Sequence, residues 1–546
     1  MMARRIAVGL VLALCAPSCH APAGSPPRAA TLAIIHAAVI DGTGAPAMMD
    51  MTILVDGERI AAIGPSARMA VPHGTRVVDA RGRFAIPGLS DMHVHLAGGG
   101  AALLRRMAVS GITRVRDMGA PIDDILRLRQ EANASRDLPR VIAAGPKLEG
   151  PLPFRHPLVR SVASPDEARR AVDELQARGV DFIKVGDSLT PELYAAIADE
   201  SRRRRIPFAG HLPAAIRALD ASRLGQRSIE HFGSASFHGL LIACSTSEVE
   251  LRRFATETLA AGMSGKISPE SVEDRLFGAD FTGLIASTYS ADRAAALFAA
   301  FARNGTWQVP TLGAIRDLWD GKTGLAPADR EAGRRLRERY GEMIRAMRTA
   351  GVKLMAGSDI EWAADRPAAP LHDELVLLVQ AGLTPMEALQ TATRNPAEFL
   401  GALRTEGTIE VGKEADIVLL DASPLEDIAS TRRVSTVVRA GRLVEPGTPP
   451  AAEPTRSASP GSCESYVSEV APGPDAAKPA TPPAEAKAHA GKPPPTEAKR
   501  HEGSGMVLDK QGVGPQLCLG GFFTSLPPQC RPGARTAWSA CTTGSA

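Results

Sequence analysis

The sequence predicts an α/β protein, a (β/α)8 TIM-like barrel with a smaller β-rich portion at its flanks, and three observations carry that prediction. Between residues 88 and 359, short runs suited to strands alternate with helical stretches, which argues for parallel strands joined by crossover helices. Eight such runs occur over about three hundred residues, the size and count of such a barrel with insertions. The chain has 546 residues, 44% of them hydrophobic, enough to fill a sizeable core.

The chain opens with Met1-Met-Ala-Arg-Arg5, an apolar run at 6–14, then small residues with Cys15 and Cys19. These are the charged, apolar and cleavage regions of an export signal at 1–23, and its apolar run is too short to span a bilayer. Ala16-Pro-Ser-Cys19 resembles a bacterial lipoprotein cleavage site, although an aliphatic residue is usual where Ala16 stands; ordinary cleavage near Ala21 or Ala23 is the equal alternative. The expected location is the periplasm or a membrane surface, with contact to lipid only through an anchor on Cys19. A β-rich stretch follows at 31–86, where Asp56-Gly57 separates two apolar runs and signals a hairpin. The eight strand-like runs are 88–95, 111–117, 140–145, 180–185, 206–211, 227–231, 306–310 and 352–359. The largest insertion, 233–303, is helical by pattern, with its connecting loop at 236–239.

The β pattern returns at 405–445, leaving the large domain at 87–404. Residues 446–504 are rich in Pro, Ala, Lys and Glu, the composition of an extended linker. The tail at 505–546 holds Cys518, Cys530 and Cys541 and, with Cys463, allows three disulfide pairings that sequence does not rank; Cys244 is alone in the body. Lys and Arg total 63 against 60 Asp and Glu, a net charge of +3 too small and dispersed for a nucleic-acid partner. The one basic run, Arg202 to Arg205, sits at the expected C-terminus of a helix, where cations are favoured.

In a barrel of this kind the active site lies where the strands end. His93 and His95, at i and i+2 of an extended strand, point the same way and offer two nitrogens to one metal ion. The ends of other runs add Lys184, His211, His231 and Asp359. Each has a structural alternative: Lys184 snorkelling, His211 and His231 closing the barrel top, Asp359 capping a helix. Their joint placement on one rim favours metal binding.

These residues lie in motifs that resemble the metal-dependent amidohydrolase superfamily, and within it the imidazolonepropionase-like group that includes bacterial Xaa-Pro dipeptidases. The motifs are Pro87-Gly-Leu-Ser-Asp-Met-His-Val-His95, Gly111-Ile-Thr-Arg-Val-Arg-Asp-Met-Gly119, Asp181-Phe-Ile-Lys184, Gly210-His211, Ile229-Glu-His231, Ala356-Gly-Ser-Asp359 and Thr393-Arg-Asn-Pro-Ala397, with a last one from Gly407 to Asp421. The resemblance covers about residues 31 to 445 and implies that the two β-rich flanks form one small β-sandwich domain. It also implies two divalent ions, zinc being the expected metal: His93 and His95 on the more buried one, His211 and His231 on the other, and carboxylated Lys184 bridging both. A carbamate suits that place because an ammonium would be repelled by two cations. Asp359 would ligate the first ion and carry the proton while a metal-bridged hydroxide attacks an amide or peptide carbonyl.

Substrate contacts are less determined. Arg155 and His156, in the loop after the third run, are placed to meet a substrate carboxylate or to form an ordinary surface loop. His372 lies after the eighth run, with substrate binding and a solvated helix start as even readings. Gly98 to Gly100 fit a hinge or a connector, and Arg116 and Asp117 fit an internal ion pair. Ser358 stands where the family usually has Thr, and either hydroxyl makes the same hydrogen bond. The expected substrate is a small molecule, a dipeptide, an N-acyl amino acid or a lactam; self-association is left open. Two rivals remain: a mononuclear cyclic amidohydrolase or deaminase with Lys184 unmodified, and an exported binding protein with a vestigial barrel. The complete ligand set argues against the second.

Overall fold

The computed structural model describes residues 29–152, 156–233, 238–320, 327–361 and 370–445. The export signal, Arg155, residues 236–237 of the insertion loop, the linker and the cysteine-bearing tail lie outside the described residues.

Alternation dictates the first sheet. Strand Leu32–Val39 pairs antiparallel with Met48–Asp56, which turns at Asp56-Gly57 into Arg59–Pro65. Gly57 has φ +59°, a backbone that suits glycine. On the other side Leu32–Val39 pairs parallel with Phe84–Pro87, to which Ile417–Leu420 adds antiparallel, followed by Val434–Arg439 and Arg442–Leu443. One eight-stranded sheet thus draws on both ends of the described chain. Strand Ile417–Leu420 shows how it docks: Ile417 and Leu419 enter the sheet's own core with Ile34 and Ile53, whereas Val418 and Leu420 enter the main core. A two-residue period buries both faces, and each fully buried Leu or Ile contributes about 1.5–3 kcal/mol.

Parallel strands form the centre. A four-stranded sheet has the order Ile360–Glu361, Leu89–His95, Ile112–Asp117, Arg140–Ala143. A six-stranded sheet runs Val159–Ser161, Lys147–Glu149, Ile183–Val185, Phe208–Gly210, Ser228–Glu230, Trp307–Val309. Backbone hydrogen bonds join them on both sides. Asp181 N donates to Ala143 O at 2.8 Å; Met355 N donates to Gln308 O at 2.9 Å and Met92 N to Ala356 O at 3.0 Å.

Seven of the eight expected runs contain an assigned strand; the eighth, 352–359, does not. It carries a single bridge, Gln308 to Leu354, and the ladder resumes at Ile360 beside Val94. Asp359 has φ 52°, which breaks extended geometry just before the ladder resumes. The strands not anticipated include Lys147–Glu149 and Val159–Ser161; three residues are too few to display a period.

Local signals set the helices. Pro165–Ala177 starts with the Ser164 hydroxyl accepting from Glu167 N and with proline in the first turn, and it buries Ala168, Ala171, Val172 and Leu175 at helical spacing. Pro191–Arg204 begins likewise at Thr190 and ends in three arginines. The insertion is helical, from Gly239–Ala243 through Ala291–Asn304. Among the described residues, no helix is long and apolar enough to cross a membrane.

Candidate metal centre

The strand Leu89–His95 ends with His93 and His95 on one face, while Val94 between them packs into the main core. Both Nε2 atoms converge on one oxygen: Asp359 Oδ1 lies 3.3 Å from that of His93 and 3.4 Å from that of His95. Suitable ligand atoms of these three residues fall within 4.8 Å of one another. His231 stands beside them, its ring centroid 4.3 Å from that of His93, and His211 follows at 5.2 Å from His231. The second carboxylate oxygen of Asp359 is 3.8 Å from His231 Nδ1.

Lys184 reaches the same space from strand Ile183–Val185. Room for it comes from Gly210 on the neighbouring strand, where a Cβ would meet Lys184 Cδ at 2.9 Å and Val185 O at 2.3 Å. Gly357 gives similar room to His93, since a Cβ there would lie 2.7 Å from the His93 Cβ. The Lys184 ammonium is buried, 1% exposed, and among the described residues its Nζ has no hydrogen-bond partner. Burial pushes its pKa down to about 8, against the pull of Glu230 and Asp359.

The Nδ1 atom of each imidazole is engaged. His93 Nδ1 donates to Glu230 Oε2 at 2.9 Å, and Glu230 is held by Arg116 Nη2 at 2.9 and 3.0 Å and by the Ser228 hydroxyl at 2.5 Å. His211 Nδ1 meets Asp187 Oδ2 at 2.5 Å. His231 Nδ1 meets the Thr311 hydroxyl at 2.6 Å, and that hydroxyl donates to Pro310 O, so it accepts from the ring. His95 Nδ1 faces Gly119 O at 3.3 Å. These partners put the proton on Nδ1 and make Nε2 the acceptor nitrogen, the tautomer a metal ligand needs; the Nε2 atoms of His93 and His95 face Asp359.

Charge and burial agree. Burial lowers the pKa values of His93, His211 and His231 well below the ordinary range, with the Lys184 charge acting in the same direction, so the rings are neutral. Burial alone would raise Asp359, but its interactions with His231, His95 and Lys184 hold it below the usual carboxylate value. Asp91, fully buried, is pushed up to about 7 by burial and accepts from Ser358 N at 2.9 Å.

Backbone strain gathers at the same rim. His231, Phe232, Thr311 and Asp359 all have φ between 51° and 52°, in the left-handed region. Such residues cost of order 1–3 kcal/mol each and persist where surrounding contacts over-determine them. Four imidazoles, a carboxylate and a buried lysine without a partner on Nζ or on His93 Nε2 are the donor set and orphaned atoms that divalent metal binding would satisfy.

All six expected ligand residues are therefore brought together. Of the substrate candidates, Arg155 lies outside the described residues and His372 stands apart from the ligands. His372 is 3% exposed and bonds through Nε2 to Ser110 O at 3.1 Å, at the end of helix Gly100–Val109 and near the start of the next strand, so the expected rim role is corrected to a packing role. His156 lies beside Lys147, which with burial lowers its pKa. Lys147 pairs with Glu149 at 3.0 Å, and Glu149 accepts from Asp187 N at 3.3 Å, so that group backs His211. Arg116 makes the internal ion pair, with Glu230; Asp117 instead accepts from Leu96 N and Gly119 N. Sequence reasoning missed Glu230, Asp187 and Thr311 as orienting groups. The available signal was chemical: every metal-binding imidazole requires a partner on its other nitrogen.

Comparison with known proteins agrees with this geometry. The family model for the Amidohydrolase family matches residues 84–444. Imidazolonepropionase from Rhizobium meliloti (strain 1021) is 24% identical over 398 residues, 68% of this chain and 85% of that protein. The enzyme of the same name from Symbiobacterium thermophilum is 28% identical over 405 residues, 71% and 88%. A Bifidobacterium longum protein assigned as a prolidase superposes with TM-score 0.59 at 25% identity, covering 76% of this chain and 95% of its own. A Xaa-Pro dipeptidase with methionine bound in its active site gives 0.56 at 22% identity, covering 76% and 99%. These neighbours share a TIM-barrel-like α/β fold. With the family match spanning well over half its length, the chain belongs to the amidohydrolase family and is a hydrolase of carbon–nitrogen bonds.

Proposed function

We propose that the two parallel sheets close as a (β/α)8 barrel, that the eight-stranded sheet is the core of a small β-sandwich domain, and that the rim holds a binuclear centre. In this reading His93, His95 and Asp359 would hold one ion and His211 and His231 the other, with Lys184, as its carbamate, a ligand shared between them. The buried Lys184 Nζ, without a partner and with its pKa lowered to about 8, supports this: the neutral amine is the form that combines with carbon dioxide. When bound, divalent cations supply Lewis acidity, lowering the pKa of water and polarising a carbonyl.

The chain's own residues supply positioning and proton transfer. Glu230, clamped by Arg116, fixes the His93 ring; Asp187 fixes His211. Asp359, kept ionised by its contacts with His231 and His95, accepts the proton of the attacking water and returns it to the leaving nitrogen, which cannot depart as an anion. The reaction is hydrolysis of an amide or peptide C–N bond in a dipeptide or N-acyl amino acid. The convergence of two histidine Nε2 atoms on one Asp359 oxygen carries the reading. The imidazolonepropionase relatives favour a second reading, a cyclic amide with one ion and unmodified Lys184.

The test is a hydrolysis panel of dipeptides, N-acyl amino acids, lactams and lactones with protein reconstituted in metal and bicarbonate. Turnover of an acyclic amide, lost in Lys184→Ala, supports the first reading; turnover confined to cyclic amides and retained in Lys184→Ala supports the second. The N-terminal segment is read as an export signal, cleaved either before Cys19, which would become the lipid-bearing first residue, or near Ala21 or Ala23, which the mass of the mature N-terminus distinguishes.

A further inference from the structure

At the opposite end of the strands from the metal rim lies a cavity of about 910 Å³. Its walls come from the beginnings of strands: Arg140, Phe182 and Phe208 sit at or just before strand starts and Arg114 in the first half of its strand, whereas His95 ends its strand and His211 and His231 directly follow theirs. Arg202, Arg205, Arg223 and Arg227 stand exposed at its mouth, and Arg116 lines its inner wall, making seven arginines with Arg114 and Arg140. Only two carboxylates share the lining, and both are engaged. Glu406 binds Arg114 and Arg140, and Asp181 accepts from Arg129 Nη1 and from Ala143 N, each at 2.8 Å.

The mouth is left cationic. Arg202 pairs with Asp199 at 2.6 Å, Arg223 reaches Asp220 only at 3.6 Å, and Arg227 donates to a backbone carbonyl, Phe399 O, at 3.2 Å. Arg205 makes no ion pair or side-chain hydrogen bond among the described residues. Its neighbours in the basic run do: Arg203 and Arg204 both bind Glu200. The helix-end reading therefore accounts for Arg203 and Arg204 and leaves Arg205 unexplained. Arg205 also ends helix Pro191–Arg204 at φ 57°, a left-handed position where glycine is usual. An arginine held there, in a residue that lines the cavity, points to a role for the side chain.

We propose that this cavity binds a small organic polyanion, carrying at least two negative charges on phosphate or carboxylate groups and an apolar body. Forked guanidinium donors suit both oxyanions, and Phe182, Phe208 and Leu400 provide apolar wall. The cavity volume fits a metabolite-sized ligand. This site is distinct from the metal centre, although Arg116, whose guanidinium holds Glu230, stands between the two.

Titration calorimetry of the full metal-loaded chain with phenyl phosphate and with trimesate tests it, and the tighter binder identifies the anionic group. Saturable binding of at least one probe is expected, weakened about tenfold or more in Arg205→Gly and in Arg223→Gln. Arg205→Gly suits its backbone, so its melting temperature is expected to equal or exceed the parent's while binding falls. Absence of saturable binding by both probes, or unchanged affinity in both variants, overturns the proposal; the second result would also assign any observed binding to the metals.

Discussion

At the scale of single residues, the candidate centre is a set of ligands fixed by a second set that holds them. Glu230 illustrates the difference between the two. It is wholly buried between the His93 ring and the Arg116 guanidinium, so Glu230→Gln removes both an imidazole acceptor and a counter-charge. Breaking a buried pair costs about 3–5 kcal/mol, and Glu230→Gln is expected to lower the melting temperature as well as metal affinity. Asp187 is partly exposed, and Asp187→Asn should lower metal affinity about 10–100-fold with little change in melting temperature. Chelator competition and thermal unfolding, run on both variants, read these outcomes separately. The ligands were legible because each ends a strand-like run in the sequence. Glu230 was not, since its meaning depends on an arginine 114 positions earlier that only the folded sheet brings to it.

At the scale of elements, His372 shows how a plausible position misleads. It follows the eighth run, as a rim residue would, but its helix Leu371–Gln380 turns the ring toward Ser110. Burial lowers its pKa from 6.5 to about 4, so the unfolded chain takes up the proton first as the pH falls. The stability that depends on its neutral form is complete above pH 6.5 and is lost between there and about 4, a contribution of about 3 kcal/mol. In His372→Gln the melting temperature should fall less steeply over that interval, while turnover at pH 7.5 stays at the parent level. The strands that sequence did not reveal failed for a related reason. Lys147–Glu149 and Val159–Ser161 are three residues each, and their partners, not their pattern, make them strands. The long alternating flanks and the cap-and-proline helix starts were legible because local chemistry decides them.

At the scale of the whole molecule, metal binding and folding are coupled, because the ligands come from strands spread between residues 93 and 359. An ion that binds only the folded chain stabilises it by about 3–4 kcal/mol at a hundred- to thousand-fold excess over its dissociation constant. Chelation should therefore lower the melting temperature of the parent, and do so less in Lys184→Ala. The parallel strands, the β-rich flanks and the rim were legible in outline. The bonds that join the sheets, such as Met355 N to Gln308 O, were not, because they need the closed arrangement to exist.

Metal content of the catalytically active chain tests the binuclear centre most directly. Protein reconstituted with zinc and bicarbonate is expected to hold two equivalents per chain at full amide-hydrolysing activity, and Lys184→Ala is expected to lose both the activity and at least one equivalent. Full activity with a single equivalent, or two equivalents retained in Lys184→Ala, would contradict the bridging role assigned to Lys184.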